Sequence, residues 1–321
     1  MRLRLAVAPL CASLLLSALS GCKIAPYQYG HFHEDGEQGP ETVTVEYGKP
    51  NKTLDGIGKI VGFPAKILPM NAKINDHEIS RTTENKLREY LARNDLNDVA
   101  VFINHYDPKR QWQRLRDNKR VGAGWRYTAG AISVIGYTVF PGRIFGGDSY
   151  NPYTNSLYLN SDVSAMVLRE AAYSKDVHSQ KMPGTYAVIQ DLPVLGLWSD
   201  TLAVRDVIGY AREQGDWEVE KEAYHVLYPQ MGIASTSIGG MFLSSAWWGG
   251  AALGAGGAAV GHVAGRTAAK REQAKHDARE QTAEAETVVP LPPVQQAGFE
   301  STAREPAPPI RLPPVGVGLI P

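Results

Sequence analysis

The stretch S-L-Y-L-N-S-D-V-S-A-M-V-L-R-E-A-A-Y-S-K-D-V-H, residues 156–178, decides how the fold is read. Ser156-Leu157-Tyr158-Leu159 reads as a short strand. Ser161 or Asp162 can accept a backbone N–H and cap a helix, and the apolar residues from Val163 to His178 recur at helical spacing. Just upstream, G-G-D-S-Y-N-P-Y-T-N (146–155) holds Asn151-Pro152, a turn signal. A turn, a strand and a capped helix in this order predict an α+β body over 55–230, a small antiparallel sheet with packed helices.

Working outward, residues 82–96 (T-T-E-N-K-L-R-E-Y-L-A-R-N-D-L) set Leu87, Tyr90 and Leu91 on one helical face. Residues 99–103 read as a strand, and Pro108 opens a helix over 108–118. Two more helices are predicted at 199–213 and 217–228. Residues 125–140 carry no charge after Arg126. Their β-branched and aromatic content, with interior glycines, predicts buried strands or a packed hairpin rather than a membrane segment.

At the N-terminus, Arg2 and Arg4 precede an uncharged apolar run, 6–19, which predicts a signal peptide over 1–21. The run is too short for a comfortable permanent span. Leu19-Ser20-Gly21-Cys22 resembles a bacterial lipobox. The resemblance implies cleavage before Cys22, acylation of that thiol with diacylglyceryl and palmitate-type chains, and anchoring in the cell envelope on the periplasmic side. Lys23, where aspartate would signal inner-membrane retention, favours the outer membrane. Residues 22–54 read as a lipidated tether. The other of the two cysteines, Cys11, lies in the removed peptide, so neither a disulfide nor a thiolate metal site is available. The 33 basic residues balance the 33 acidic ones, which leaves no electrostatic case for nucleic acid.

Within the capped helix, V-L-R-E-A-A-Y-S-K-D (167–176) resembles the zinc helix of the gluzincin metallopeptidases. In that family H-E-x-x-H puts two zinc-binding histidines one turn apart, with the glutamate as general base. Glu170 matches the glutamate. Arg169 and Tyr173 stand at both histidine positions, and Asp200, in W-S-D-T-L-A-V-R-D (198–206), stands where a third, acidic ligand is expected. Arginine stays protonated and has no lone pair to give a metal. The resemblance therefore implies a catalytically inactive, metallopeptidase-like domain with vestigial positions at Arg169, Glu170, Tyr173 and Asp200, no metal, no cofactor, and a binding or structural role. Two alternatives stay open: ordinary ion pairs among Arg169, Glu170 and Asp200 in an unrelated domain, and an active membrane-bound hydrolase using Glu170 and Asp200. His31, His33, His77, His105, His178, His225 and His262 are scattered and form no helical pair.

Residues 231–265 hold no charge apart from what His262 can carry, and Gly250, Gly254, Gly257, Gly261 and Gly265 recur at three- and four-residue intervals. Small residues at that spacing let helix backbones approach closely. This predicts a glycine-zipper, membrane-associated helix able to self-associate, and with it a third reading as a purely structural membrane protein. A soluble helix packed on the body is the alternative. A span here would belong to the inner membrane, in conflict with Lys23. Residues 266–286 predict a charged helix, and 287–321 an extended, disordered Pro-rich tail. No protein partner is specified.

Overall fold

The computed structural model describes residues 26–32, 42–49, 51–145, 147–243 and 247–287. The signal peptide, Cys22 and the Pro-rich tail beyond Thr287 lie outside the described residues. Four strands, β1 (Val45–Tyr47), β2 (Ala100–Ile103), β3 (Ser149–Asn151) and β4 (Ser156–Leu159), form one sheet in the order β1-β2-β4-β3. β1 runs parallel to β2, and β2 parallel to β4, so that Val101 faces Val45 on one side and Leu157 on the other. Only β3 and β4 are antiparallel. The fold is α+β, but the sheet is mixed rather than antiparallel as expected. A tight turn joins β3 to β4, whereas helices fill the other two connections, and crossovers of that length allow parallel pairing. β2 and β4 are the central strands, and all their residues are buried.

Between β1 and β2 lie α1 (Lys52–Val61), α2 (Phe63–Ile67) and α3 (Arg81–Arg93). Between β2 and β3 lie α4 (Pro108–Asp117), α5 (Ala123–Trp125), α6 (Ala131–Val139) and α7 (Gly142–Phe145), with a π turn (Arg126–Gly130) linking α5 to α6. The expected strands at 125–140 are thus helical. A helix lets one narrow stripe bury while the rest faces out: Val134 is buried, and a methyl on Gly130 would sit 2.7 Å from Leu115. After β4 come α8 (Ser164–His178), α9 (Pro183–Gln190), α10 (Pro193–Glu213) and α11 (Trp217–Glu222), then a second π turn (Ala223–Leu227), α12 (Tyr228–Leu243) and α13 (Trp247–Thr287).

The capping of α8 departs from the expectation. Its N-cap is Val163, without a side-chain cap, and the Ala165 N–H donates instead to Glu222 Oε2 of α11, at 2.9 Å. Asp162 serves a different helix. Its Oδ1 accepts from the backbone N–H of Ser80 (3.0 Å), the Ser80 hydroxyl (2.7 Å) and the Thr83 hydroxyl (2.6 Å), at the start of α3, whose N-cap is Ser80. The loop after β4 thereby clamps α3 beside α8. Leu87, Tyr90 and Leu91 of α3, Val101, Leu157 and Leu168 are fully buried, and α8 packs between the sheet edge, α3 and α10.

The described stretches of the expected tether, 26–32, 42–49 and 51–54, belong to the body. The Tyr27 hydroxyl lies 3.0 Å from both Asn94 Oδ1 and Asp206 Oδ1, and Lys175 Nζ donates to it at 2.9 Å. Residues 45–47 are β1, and 52 begins α1. In these stretches the chain is packed on the body, with Tyr27 and Gly30 bonded to partners far along the chain.

Residues 231–265 do not form one helix. They divide between α12 and α13, which run antiparallel against each other. A methyl on Gly257 would stand 2.1 Å from the Gly232 carbonyl oxygen, on Gly261 2.4 Å from that of Tyr228, and on Gly265 2.0 Å from that of Tyr224. No side chain fits at such separations. Gly254 is looser, with Ile233 at 3.9 Å, and the surroundings of Gly250 lie outside the described set. Among the described residues no helix is long and apolar enough to cross a membrane. The chain divides into two units, 1–274 and 275–321. The described part of the second is the end of α13, which carries the group His276, Asp277 and Glu280, with His276 half-buried and Glu280 exposed.

Candidate functional site

α8 is buried on nearly every face, and a helix so placed must satisfy any charge it carries from within. Two charges sit side by side at its centre. The Arg169 guanidinium pairs with Glu170, with Nε 3.1 Å from Oε1 and Nη2 closer still on the same oxygen. The other oxygen, Glu170 Oε2, accepts the backbone N–H of Tyr150 on β3 at 3.1 Å. Arg169 Nη1 reaches Gln230 Oε1 on α12 at 3.4 Å. Glu170 thus fastens the edge strand to the helix, and Arg169 fastens the helix to α12. Both oxygens of this carboxylate therefore accept protein donors.

Two further acids act on this pair. Burial works against the Arg169 charge, but the carboxylates of Glu170 and Asp200 outweigh it and hold the guanidinium above its ordinary value. Asp200 comes from α10, which packs along α8. Its own carboxyl is raised by burial and by Glu170, while Arg169 opposes the rise. Asp148, in the turn entering β3, is the member that sequence reasoning missed. Its Oδ1 accepts the backbone N–H groups of Asn160 (2.7 Å) and Ser161 (3.0 Å), and its Oδ2 is buried with no hydrogen-bond partner among the described residues. Burial, with Glu170 adding to it, pushes this carboxyl up to about 6 against those two N–H groups. The Gly146-Gly147-Asp148 run looks like ordinary turn chemistry, so no local signal marked Asp148 as buried.

Tyr173, one turn past Arg169, is half-buried and stands edge-on to Tyr150, with ring centroids 5.8 Å apart. Burial raises its hydroxyl, so the group stays protonated at neutral pH. The structure therefore gathers Arg169, Glu170 and Asp200 into one electrostatic cluster, joined by Asp148, with Tyr173 at its edge. The residues do not fit a zinc ion. The group nearest the acids is a cation without a lone pair, and among the described residues the only three potential ligands close enough to share an ion are His276, Asp277 and Glu280, in the second unit.

The histidines serve local roles. His77 occupies a turn with φ 59°, and its Nδ1 lies 3.1 Å from Asn104 Oδ1; burial lowers its pKa. His178 ends α8 with Nδ1 donating to the Ser174 carbonyl at 2.7 Å and Nε2 3.3 Å from Asp98 Oδ1. That ring borders a shallow cleft of about 160 Å³, also lined by Asn118, Arg120 and Lys181. His262 Nε2 donates to the Leu68 carbonyl at 2.7 Å. No family model matches the chain, and no curated protein or solved structure is significantly similar to it.

Proposed function

We propose that this chain is a lipoprotein of the cell envelope, anchored through acylated Cys22, whose body is a gluzincin-like domain that has exchanged metal chemistry for a buried ion cluster and serves a binding or structural role. The observation that carries the reading is the place of Arg169. A guanidinium stands at a histidine position of the broken H-E-x-x-H pattern, bonded to Glu170 and held by the field of Asp200. A fixed cation supplies there the positive charge that a dication would otherwise bring to two acids, and buried acids need such compensation. It supplies no Lewis acidity and no bound water, so hydrolysis by the gluzincin route is closed to this arrangement.

The test is to rebuild the pattern. Arg169→His with Tyr173→His restores H-E-x-x-H beside Asp200, and the double variant should bind one zinc per chain by mass spectrometry and gain thermal stability with it. The parent chain should take up none at this place. A parent chain that holds stoichiometric zinc lost on replacing Glu170, or a double variant that folds and binds none, overturns the reading. Mass spectrometry of the chain from membranes, with the acyl mass sought on Cys22, tests the anchor separately.

A further inference from the structure

Helix α1 is amphipathic in the wrong sense for a soluble protein. The side toward the body carries Asp55, whose carboxylate pairs with Arg143 of α7 at 2.5 Å, and the buried Gly58, where a methyl would meet the Arg143 carbonyl oxygen at 2.5 Å. The outer side carries Ile57 and Ile60, 44% and 76% exposed. Phe63 and Ile67 of α2 continue the exposed apolar surface, at 58% and 52%. α7 packs on α1 and presents Phe145, which stands edge-on to Phe140 at 6.0 Å, both about three-fifths exposed. Phe140 in turn ends α6, whose Ile132, Ile135 and Val139 form an exposed stripe at i, i+3 and i+7. These exposed apolar groups lie on four elements joined through the chain, through the α1–α7 contact and through the Phe140–Phe145 pair. Exposed apolar surface of this extent marks an interaction site.

Its charges select the occupant. From residue 49 to 73 the chain holds Lys49, Lys52, Lys59, Lys66 and Lys73 against the single acid Asp55, which Arg143 already neutralises. Lys59 and Lys66 lean on Asp76 at 3.1 and 3.6 Å, Lys59 also on Glu78 at 3.5 Å, and Lys73 on Asp162 at 3.6 Å, while Lys49 and Lys52 are exposed. An outward apolar stripe edged by lysines is how a helix lies in the plane of an anionic bilayer surface.

We infer that the face built by α1, α2, α6 and α7 is a monotopic lipid-docking surface that seats the domain on an anionic bilayer without crossing it. The apolar face and its lysines do not depend on the lipoprotein reading. The assay therefore uses the mature chain, residues 22–321, carrying Cys22→Ser. It is floated with vesicles of phosphatidylethanolamine and phosphatidylglycerol, or of phosphatidylethanolamine alone. The unlipidated parent should float with the mixed vesicles. Ile57→Asp with Ile60→Asp, and separately Ile132→Asp with Ile135→Asp, should each weaken partitioning by at least about tenfold while the circular-dichroism melt is unchanged, since every altered side chain is solvent-exposed. Lys49→Glu with Lys52→Glu should weaken binding to the anionic vesicles only.

Because this chain then has no cysteine, Ile60→Cys accepts a single environment-sensitive fluorophore, whose emission should shift to the blue on adding vesicles. The inference is overturned if the parent stays unbound, if the aspartate pairs float like the parent, or if the parent is a dimer in solution that the aspartate pairs convert to monomer, which would make a second copy the occupant. Acyl mass on Cys22 with a Cys22→Ser chain that does not float would leave the anchor and remove the face. Absence of acyl mass with a chain that floats would do the reverse.

Discussion

Helices α8 and α1 solve opposite problems with similar alphabets. α8 brings an arginine and a glutamate into the interior and satisfies them there, through Tyr150, Gln230 and the field of Asp200. α1 keeps glycine and an ion pair toward the body and turns its isoleucines to the outside. Periodicity locates an apolar stripe on a helix but does not tell which side of it the protein occupies. Only the partners do: α8 is enclosed by the sheet, α3 and α10, whereas α1 is backed at its centre by α7 and the His77 turn.

The sharpest way to break the contrast is Arg169→Met. It leaves the Glu170, Asp200 and Asp148 carboxylates around an apolar side chain, and removing one partner from a buried ion cluster costs about 3–5 kcal/mol. Urea unfolding should show a loss of that size. A loss near zero would mean that α8 is solvated at its centre and resembles α1 more than it appears to.

Asp148→Asn comes next. Because the folded-state carboxyl is raised to about 6, the native chain holds that proton more tightly than the unfolded chain does. Asp148 therefore contributes stability that is fully present below the ordinary carboxylate range and is lost as pH rises toward about 6. Replacing it should flatten the urea midpoint between about pH 4 and pH 6 and leave the variant more stable at neutral pH by about 2–3 kcal/mol. A variant whose pH profile follows the parent's would assign the slope to Asp200 or another raised acid.

The smallest effects separate the two sides of α1. Gly58→Ala forces a methyl to within 2.5 Å of a carbonyl oxygen and should cost about 1–3 kcal/mol. Ile60→Ser, two residues away on the outer side, should change stability in water by less than about 0.5 kcal/mol. Equal costs in thermal melts would mean that the outer side is also packed.

Much of the local structure was legible. The face of α3, the strand at β2, the Pro108 helix start and the β3–β4 turn all follow from side-chain type at short range. What was not legible depends on partners distant in the chain. Asp162 precedes α8 in sequence, yet in space it caps α3, 79 residues upstream at Thr83. The parallel pairing of β1, β2 and β4 has no local marker at all. Residues 125–140 have strand-like composition, but an outward stripe of Ile132, Ile135 and Val139 needs helical spacing to exist. Of the site, Arg169, Glu170 and Asp200 could be read from the broken motif. Asp148 could not, since burial is a property of the loop's destination.

The docking of Tyr27 also sets an order of events. Its hydroxyl meets Asn94, 67 residues further along the chain, and Asp206, 179 residues along, so this segment can find its first partners once α3 is in place and completes its docking only when α10 joins them.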